Sequence, residues 1–304
     1  MHILIAGASG LIGQRLLPIL QHAGHQVSVL STQNKPNAFS SSISSFYWSP
    51  EKGQIDVNAL NGVDVIINLA GATVAQRWTA KNKKAIFESR VLGTRLLGES
   101  LKNNIHSVSH FISASAIGVY PAHADTIYLE TSPSVSQDFL GQVVYAWENE
   151  VDNISGVVPR CSKIRIGLVL SKEGGALIPL AIPTSLGFGA WFGSGKQWQS
   201  WVHIDDLVRL FVFVLDHPGC YNGVAPNPVS QKYLVKAIAK IYSRPQWIPG
   251  IPKVILQVAM GAMSKLLFDS IHASSAYAVK KGFTFKYNNI QEALNDLLPL
   301  RAKK

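Results

Sequence analysis

Residues 3–6 (Ile-Leu-Ile-Ala) form an apolar run too short for a helix and suited to a strand buried on both faces. From residue 11 to 20 the apolar positions recur three and four apart, which predicts a helix, and Gly24-His25-Gln26 stops it. Further strands are predicted at residues 27–30, 63–71, 110–115 and 163–170. Helical periodicity covers 82–103, with Ile86, Val91, Leu92, Leu96 and Leu97 facing inward, and 139–152. Residues 34–45, rich in Ser, Asn and Pro, read as loop. Strands and helices that alternate to about residue 170 imply an α/β fold, a doubly wound parallel sheet with helices on both faces.

The pattern then changes. Residues 186–196 hold four glycines and three aromatics and read as a loop over a pocket. Trp201-Val202-His203-Ile204-Asp205-Asp206 leads into a helix at 207–215, with an aspartate expected to cap it and His203 expected to be structural. Helices are predicted at 232–242, 254–268 and 290–298, and a strand or extended segment at 282–287. The division expected is a nucleotide-binding core over 1–170, with 197–222 returning to it, and a smaller mixed C-terminal lobe over 171–304.

The turn between the first strand and helix is Gly7-Ala8-Ser9-Gly10-Leu11-Ile12-Gly13. Gly7 permits the tight turn, Gly10 lets a diphosphate approach the backbone, and Gly13 allows close helix–strand packing. Strand, glycine turn and helix together mark a Rossmann-type dinucleotide site, with the helix N-terminus toward the phosphates. The second strand runs into Leu30-Ser31-Thr32-Gln33-Asn34-Lys35. A carboxylate there would bind the 2′-hydroxyl of NAD(H). None is present, and Ser31, Thr32 and Lys35 suit a 2′-phosphate, so NADP(H) is favoured over NAD(H). Leu69-Ala70-Gly71 suits backbone contact with the adenosine side, and Arg90 is placed to reach a phosphate or ribose.

Composition narrows the class. Of 304 residues, 47% are hydrophobic and 15% charged, which suits a large core and argues against global disorder. The net charge of +10 fits an anionic ligand. No basic, aromatic-interleaved patch or helix-turn-helix points to nucleic acid. Residues 254–268 come nearest to a membrane span, but Lys265 and the short length argue for a buried helix, so no membrane partner is expected. The N-terminus does not read as a leader. Cys161 and Cys220 offer neither a disulfide framework nor metal spacing, and no metal is expected. A cytoplasmic setting follows as an expectation; the oligomeric state does not follow.

Several stretches together resemble one family. They are the glycine turn, Asn68-Leu69-Ala70-Gly71, Arg77-Trp78-Thr79, Glu88-Ser89-Arg90-Val91-Leu92-Gly93-Thr94-Arg95, Ser113-Ala114-Ser115-Ala116-Ile117-Gly118-Val119-Tyr120 and Arg165-Ile166-Gly167-Leu168-Val169-Leu170. Gly193-Ser194-Gly195, Trp201-Val202-His203-Ile204-Asp205-Asp206-Leu207 and Lys281-Gly282-Phe283-Thr284-Phe285-Lys286-Tyr287 with Glu292-Ala293-Leu294 complete the set. Nearly the full chain is similar to the epimerase family proteins, atypical extended short-chain dehydrogenases/reductases related to nucleotide-sugar epimerases. The resemblance implies NADP(H) contacts at Ser9, Gly10, Leu11, Ile12, Ser31, Thr32, Leu69, Ala70, Arg90 and Val169. Related chains often carry Arg after the second strand. Here Thr32 or Gln33 stands there, which loses a bidentate clamp that Lys35 replaces only as a point charge.

The superfamily's chemistry uses a Ser or Thr with Tyr-x-x-x-Lys. Ser115 fits the serine position, and Ser113 is the alternative. In Phe139-Leu140-Gly141-Gln142-Val143-Val144-Tyr145 no such pair exists. Phe139 or Leu140 occupies the tyrosine slot and Val143 or Val144 the lysine slot. Tyr120 is a second candidate proton donor, with a packed loop anchor as the competing role. Two functions follow as expectations. One is an NADP(H)-dependent oxidoreductase or nucleotide-sugar epimerase acting on a small molecule, a nucleotide sugar or carbonyl compound. The other is a catalytically weak dinucleotide-binding regulator acting on a protein partner, like relatives labelled cell-division inhibitors.

Overall fold

The computed structural model describes residues 1–33 and 43–298. Its strands are β1 (His2–Ala6), β2 (Gln26–Ser31), β3 (Ser44–Ser49), β4 (Gln54–Ile55), β5 (Val65–Asn68), β6 (His110–Ala116), β7 (Ile127–Tyr128), β8 (Arg160–Ile166), β9 (Leu168–Leu170), β10 (Trp198–Gln199), β11 (Trp201–His203), β12 (Cys220–Gly223), β13 (Val229–Ser230) and β14 (His272–Ala273). Its helices are α1 (Leu11–His22), α2 (Ala80–Asn103), α3 (Phe139–Ile154), α4 (Leu177–Ser185), α5 (Ile204–Asp216), α6 (Gln231–Ile241), α7 (Lys253–Met260), α8 (Lys265–Phe268), α9 (Ala276–Lys280) and α10 (Ile290–Leu297).

Eight strands form one sheet in the order β12-β8-β6-β5-β1-β2-β3-β4, parallel except for the short β3–β4 pairing. The order reverses at β1, where strands wind outward to either side. That switch point is where open α/β sheets leave a crevice beyond their strand ends. Ile3, Leu4, Ile5, Ile66 and Ile67 are fully buried, as central strands covered by helices on both faces require. Helices α2 and α3 pack together on one face and α1 and α5 on the other.

Four sequence expectations change. The predicted loop over 34–45 gives way at Ser44 to β3, which carries buried Trp48; residues 34–42, with Lys35, lie outside the described residues. The strand predicted at 163–170 is two strands. A side chain at Gly167 would overlap the Ser200 carbonyl oxygen, and beyond it β9 leaves the main sheet to pair with β11. The helix predicted at 254–268 breaks at Gly261 (φ 60°), and no residue of α7 is buried, contrary to expectation. Finally, His203 caps α5 in place of an aspartate: its Nδ1 accepts the Asp205 N–H at 3.1 Å.

Asp206 thereby becomes free for another task. Its carboxylate, 1% exposed, accepts the Lys286 and Tyr287 N–H groups at 2.8 Å each and the Arg209 guanidinium at 2.8 Å. Residues 282–287 form no strand. They run extended with Phe283, Phe285 and Tyr287 buried, and Asp206 satisfies backbone donors that a sheet would otherwise bond. Tyr287 stacks on His203, with ring centroids 3.8 Å apart. Asp206→Ala should cost about 2 kcal/mol, because it orphans the buried Tyr287 N–H and frees the part-buried Lys286 N–H. Thermal unfolding measures the loss, and limited proteolysis should show new cleavage near residue 286; an unchanged midpoint would refute the anchoring role.

Candidate functional site

The cleft at the switch point is built by backbone contact. Gly7 (φ +82°) lies directly on the next strand's exit: a Cβ there would stand 2.7 Å from the Ala70 nitrogen and the Leu69 carbonyl carbon. At Gly13 a Cβ would lie 2.6 Å from the Ala8 Cα, so glycine fixes the approach of α1 to β1. Gly10 differs. It is the N-cap of α1 with φ −77°, and a Cβ would touch only the Gly7 carbonyl oxygen at 3.3 Å. No side chain caps α1, so its first-turn N–H groups stay open toward the cleft.

The cleft measures about 590 Å³. Gly7, Ser9, Gly10, Ser31, Thr32, Leu69, Ala70 and Gly71, all singled out in the sequence, line it. Ser31 turns its hydroxyl to the Gln33 N–H at 3.1 Å. The lining also includes Trp48, Ser49, Pro50, Glu51, Ala72 and Ser89, which the sequence reading missed. The signal was present in the aromatic run Phe46-Tyr47-Trp48, which follows the predicted loop and was assigned to no element.

The 89–94 motif acts on this wall from α2. Ser89 Oγ accepts the Ala72 N–H at 2.9 Å. Arg90 Nη1 donates to the Ala72 and Ile86 carbonyls at 3.0 Å each. Gly93 leaves room for Trp48, whose ring would lie 3.3 Å from a Cβ there. Thr94 Oγ1 accepts from Asn68 Nδ2 at 2.9 Å, and Asn68 Oδ1 in turn accepts the Ala70 N–H at 3.2 Å. Arg90 lies flat against Gly71 with its Cζ 5.5 Å from the Trp147 ring. Burial pulls its guanidinium down to about 10, which still leaves it charged at neutral pH. It holds the turn from behind and does not line the cleft.

Leu11 and Val169 meet elsewhere. Both pack on Gly174–Gly175 after β9, where a Cβ on Gly175 would lie 2.6 Å from the Val169 carbonyl oxygen and 3.5 Å from Leu11. Ile12 is half-buried against the main core.

A second polar cluster lies at the end of β6. Ser115 Oγ donates to Glu148 Oε1 at 2.5 Å. Arg165 grips the same carboxylate with two hydrogen bonds of 2.8 Å, and Lys163 stands 3.6 Å away. Tyr120, 1% exposed, receives the Arg165 Nη1 at 2.8 Å and faces Asn222 Oδ1 at 2.9 Å and the Leu129 carbonyl at 3.1 Å. Burial pushes its phenol up to about 12. Burial also works to raise the Glu148 carboxyl, but Arg165, Ser115 and Lys163 outweigh it and leave the group below the usual range. Ser113 is fully buried and donates to the Ala114 carbonyl. Helix α3 starts at Phe139 behind its cap Asp138, so Leu140 and Val144 sit in its first two turns.

The parallel order and glycine turn define the Rossmann-type architecture of the short-chain dehydrogenases/reductases. The model of the NAD dependent epimerase/dehydratase family matches residues 3–223, and the chain belongs to that family. A domain of unknown function, DUF1731, matches residues 251–297. An epimerase family protein of Staphylococcus epidermidis is 35% identical over 300 residues, 97% of this chain and 98% of its own. The crystal structure of the human epimerase family protein SDR39U1 (isoform 2) with NADPH has a TM-score of 0.86 at 26% identity, covering 98% of this chain and 99% of that one. A nucleoside-diphosphate sugar epimerase from Corynebacterium glutamicum has a TM-score of 0.78 at 31% identity, over 98% of this chain and 58% of its own.

Glu148→Gln should destabilise the protein at neutral pH by about 3 kcal/mol, since it leaves buried Arg165 short of its counter-charge. The folded-state carboxyl lies below its unfolded value, so its stabilisation is present above the unfolded pKa and fades as pH falls through the folded one. Denaturant unfolding of both forms should therefore converge in acid; a difference constant with pH would contradict the ionic role.

Proposed function

We propose that the chain holds a nicotinamide dinucleotide in the switch-point cleft, NADP(H) in preference to NAD(H). We further propose that it acts on a small carbonyl compound or nucleotide sugar. The cleft carries this reading: a glycine cradle that side chains would fill, and open N–H groups at the start of α1. Ser9, Gly10, Leu11 and Ile12 would hold the diphosphate and Leu69, Ala70 and Gly71 the adenosine side. Ser31 and Thr32 would meet the 2′-phosphate, with no carboxylate at the end of β2 to repel it. The NADPH in the human relative agrees with that choice.

When bound, the nicotinamide would supply or accept a hydride. This chain's residues must then place the substrate and handle one proton. Ser115 is the candidate catalytic residue. Its own proton is committed to Glu148, so it offers its lone pairs to a substrate hydroxyl. Tyr120 serves in this reading as a positioning residue, since Asn222, Leu129 and Arg165 surround its phenol. The apolar side chains at Leu140 and Val144 favour one other reading, a dinucleotide-binding regulator with a protein partner.

Two measurements test these assignments. Gly10→Val should fold, because only the Gly7 carbonyl is close, yet lose NADPH binding by about a hundredfold as the valine fills the phosphate approach. Unchanged affinity would remove the cofactor from this turn. Nicotinamide absorbance followed across aldehydes, ketones and nucleotide sugars should reveal turnover that Ser115→Ala lowers about tenfold or more while NADPH still binds. Binding without turnover on every substrate would instead support the regulator.

A further inference from the structure

Residues 253–269 run between two fastened ends. At one end the Ile251 N–H donates to the Trp191 carbonyl, and the Ile251 carbonyl accepts the Gly193 N–H, each at 2.8 Å. At the other, Ser270 Oγ accepts the Trp198 N–H at 3.0 Å and the Ser270 carbonyl accepts the His123 N–H at 2.8 Å. Between these anchors the chain contributes nothing to a core. None of its apolar side chains is buried, and Ser264, 3% exposed, is its one buried residue. The segment borders a hollow of about 630 Å³, lined by Lys253 and Gln257 of α7 and by Ser264, Lys265, Phe268 and Asp269.

Apolar burial therefore does little to hold this segment down, and a few local contacts must do so. Gln197 Nε2 donates to the Leu267 carbonyl at 2.8 Å. Phe268 lies on Gly193, where a Cβ would stand 3.1 Å from its ring. Lys265 Nζ lies 3.2 Å from Asp138 Oδ2 and 2.5 Å from Asp269 Oδ1. Among the described residues, Lys265–Asp138 is the only ion pair between 253–269 and the rest of the chain. Its side chains are 41% and 24% exposed, so the attraction is screened and weak enough to part. Neither partner would be stranded by parting. Asp269 would travel with Lys265 and keep its charge matched, and Asp138 Oδ1 would still accept the Gly141 N–H that caps α3.

We propose that residues 253–269 are a strap that opens and closes over the hollow, with the Lys265–Asp138 pair as its latch. Closed, the strap lies against the start of α3, one residue before Phe139. Open, it admits a small molecule to the hollow and to that helix start. The proposal stands independently of the cofactor reading.

Hydrogen exchange of the full chain, followed by mass spectrometry, tests it. Strap amides should exchange faster than those of the buried helix α5 and slower than an unstructured peptide. Asp138→Asn removes the charge but keeps a capping side chain, and should speed strap exchange about fivefold. Lys265→Met should do the same from the other side. Sodium chloride at about 0.5 M should speed exchange in the unaltered protein and not in either variant. Strap amides as slow as those of α5, or unchanged in both variants, would overturn the proposal. Exchange at the rate of an unstructured peptide would overturn it as well, because no closed state would then exist. So would faster exchange confined to α3 in Asp138→Asn, which would assign the aspartate to the cap alone.

Discussion

Between Gly7 and the Leu69–Ala70 peptide there is no space for a side chain, and the cleft takes its shape from that contact. Two neighbouring parallel strands end together, and their exits touch backbone to backbone. The position needs both a left-handed φ and a missing Cβ, a combination that only glycine meets without strain. From it follow the direction in which α1 leaves and the opening of its uncapped first turn. The far wall is held by a different device. Asn68, Ser89, Arg90 and Thr94 bond the 68–72 turn from α2, and Gly93 admits Trp48. A stretch that looked like a ligand-binding motif is in large part a clamp on backbone that borders the cleft.

Beside this wall, Ser115, Glu148, Arg165 and Tyr120 form a buried network that is almost completely satisfied. Arg165 gives the carboxylate both of its planar bonds and still reaches the phenol. Such a network fixes geometry at the end of β6. It also fixes protonation, with Glu148 kept ionised and Tyr120 kept neutral.

At the start of α5 one carboxylate acts as a surrogate strand for residues 286–287. Asp206 bonds two consecutive backbone donors, and His203, freed from solvent, caps α5 and stacks on Tyr287. Trp-Val-His-Ile-Asp-Asp and Phe-Thr-Phe-Lys-Tyr, far apart in sequence, are two sides of that joint.

Periodicity and the glycine turn in the sequence determined the parallel α/β core and half of the cleft wall. These are local properties: apolar runs of strand length, helical spacing, and backbone conformations that name their own residue. The pairing of β9 with β11 and the exposure of α7 were not legible, because each depends on which distant surface a segment meets. The same holds for Arg90 and Tyr120. A sequence shows a guanidinium and a phenol at useful spacing, but only the packed chain shows that Ala72 and Ile86 take up one, and that Arg165, Asn222 and Leu129 enclose the other. Residue type set what each group could do, and the partners brought to it by the fold decided what it was left free to do.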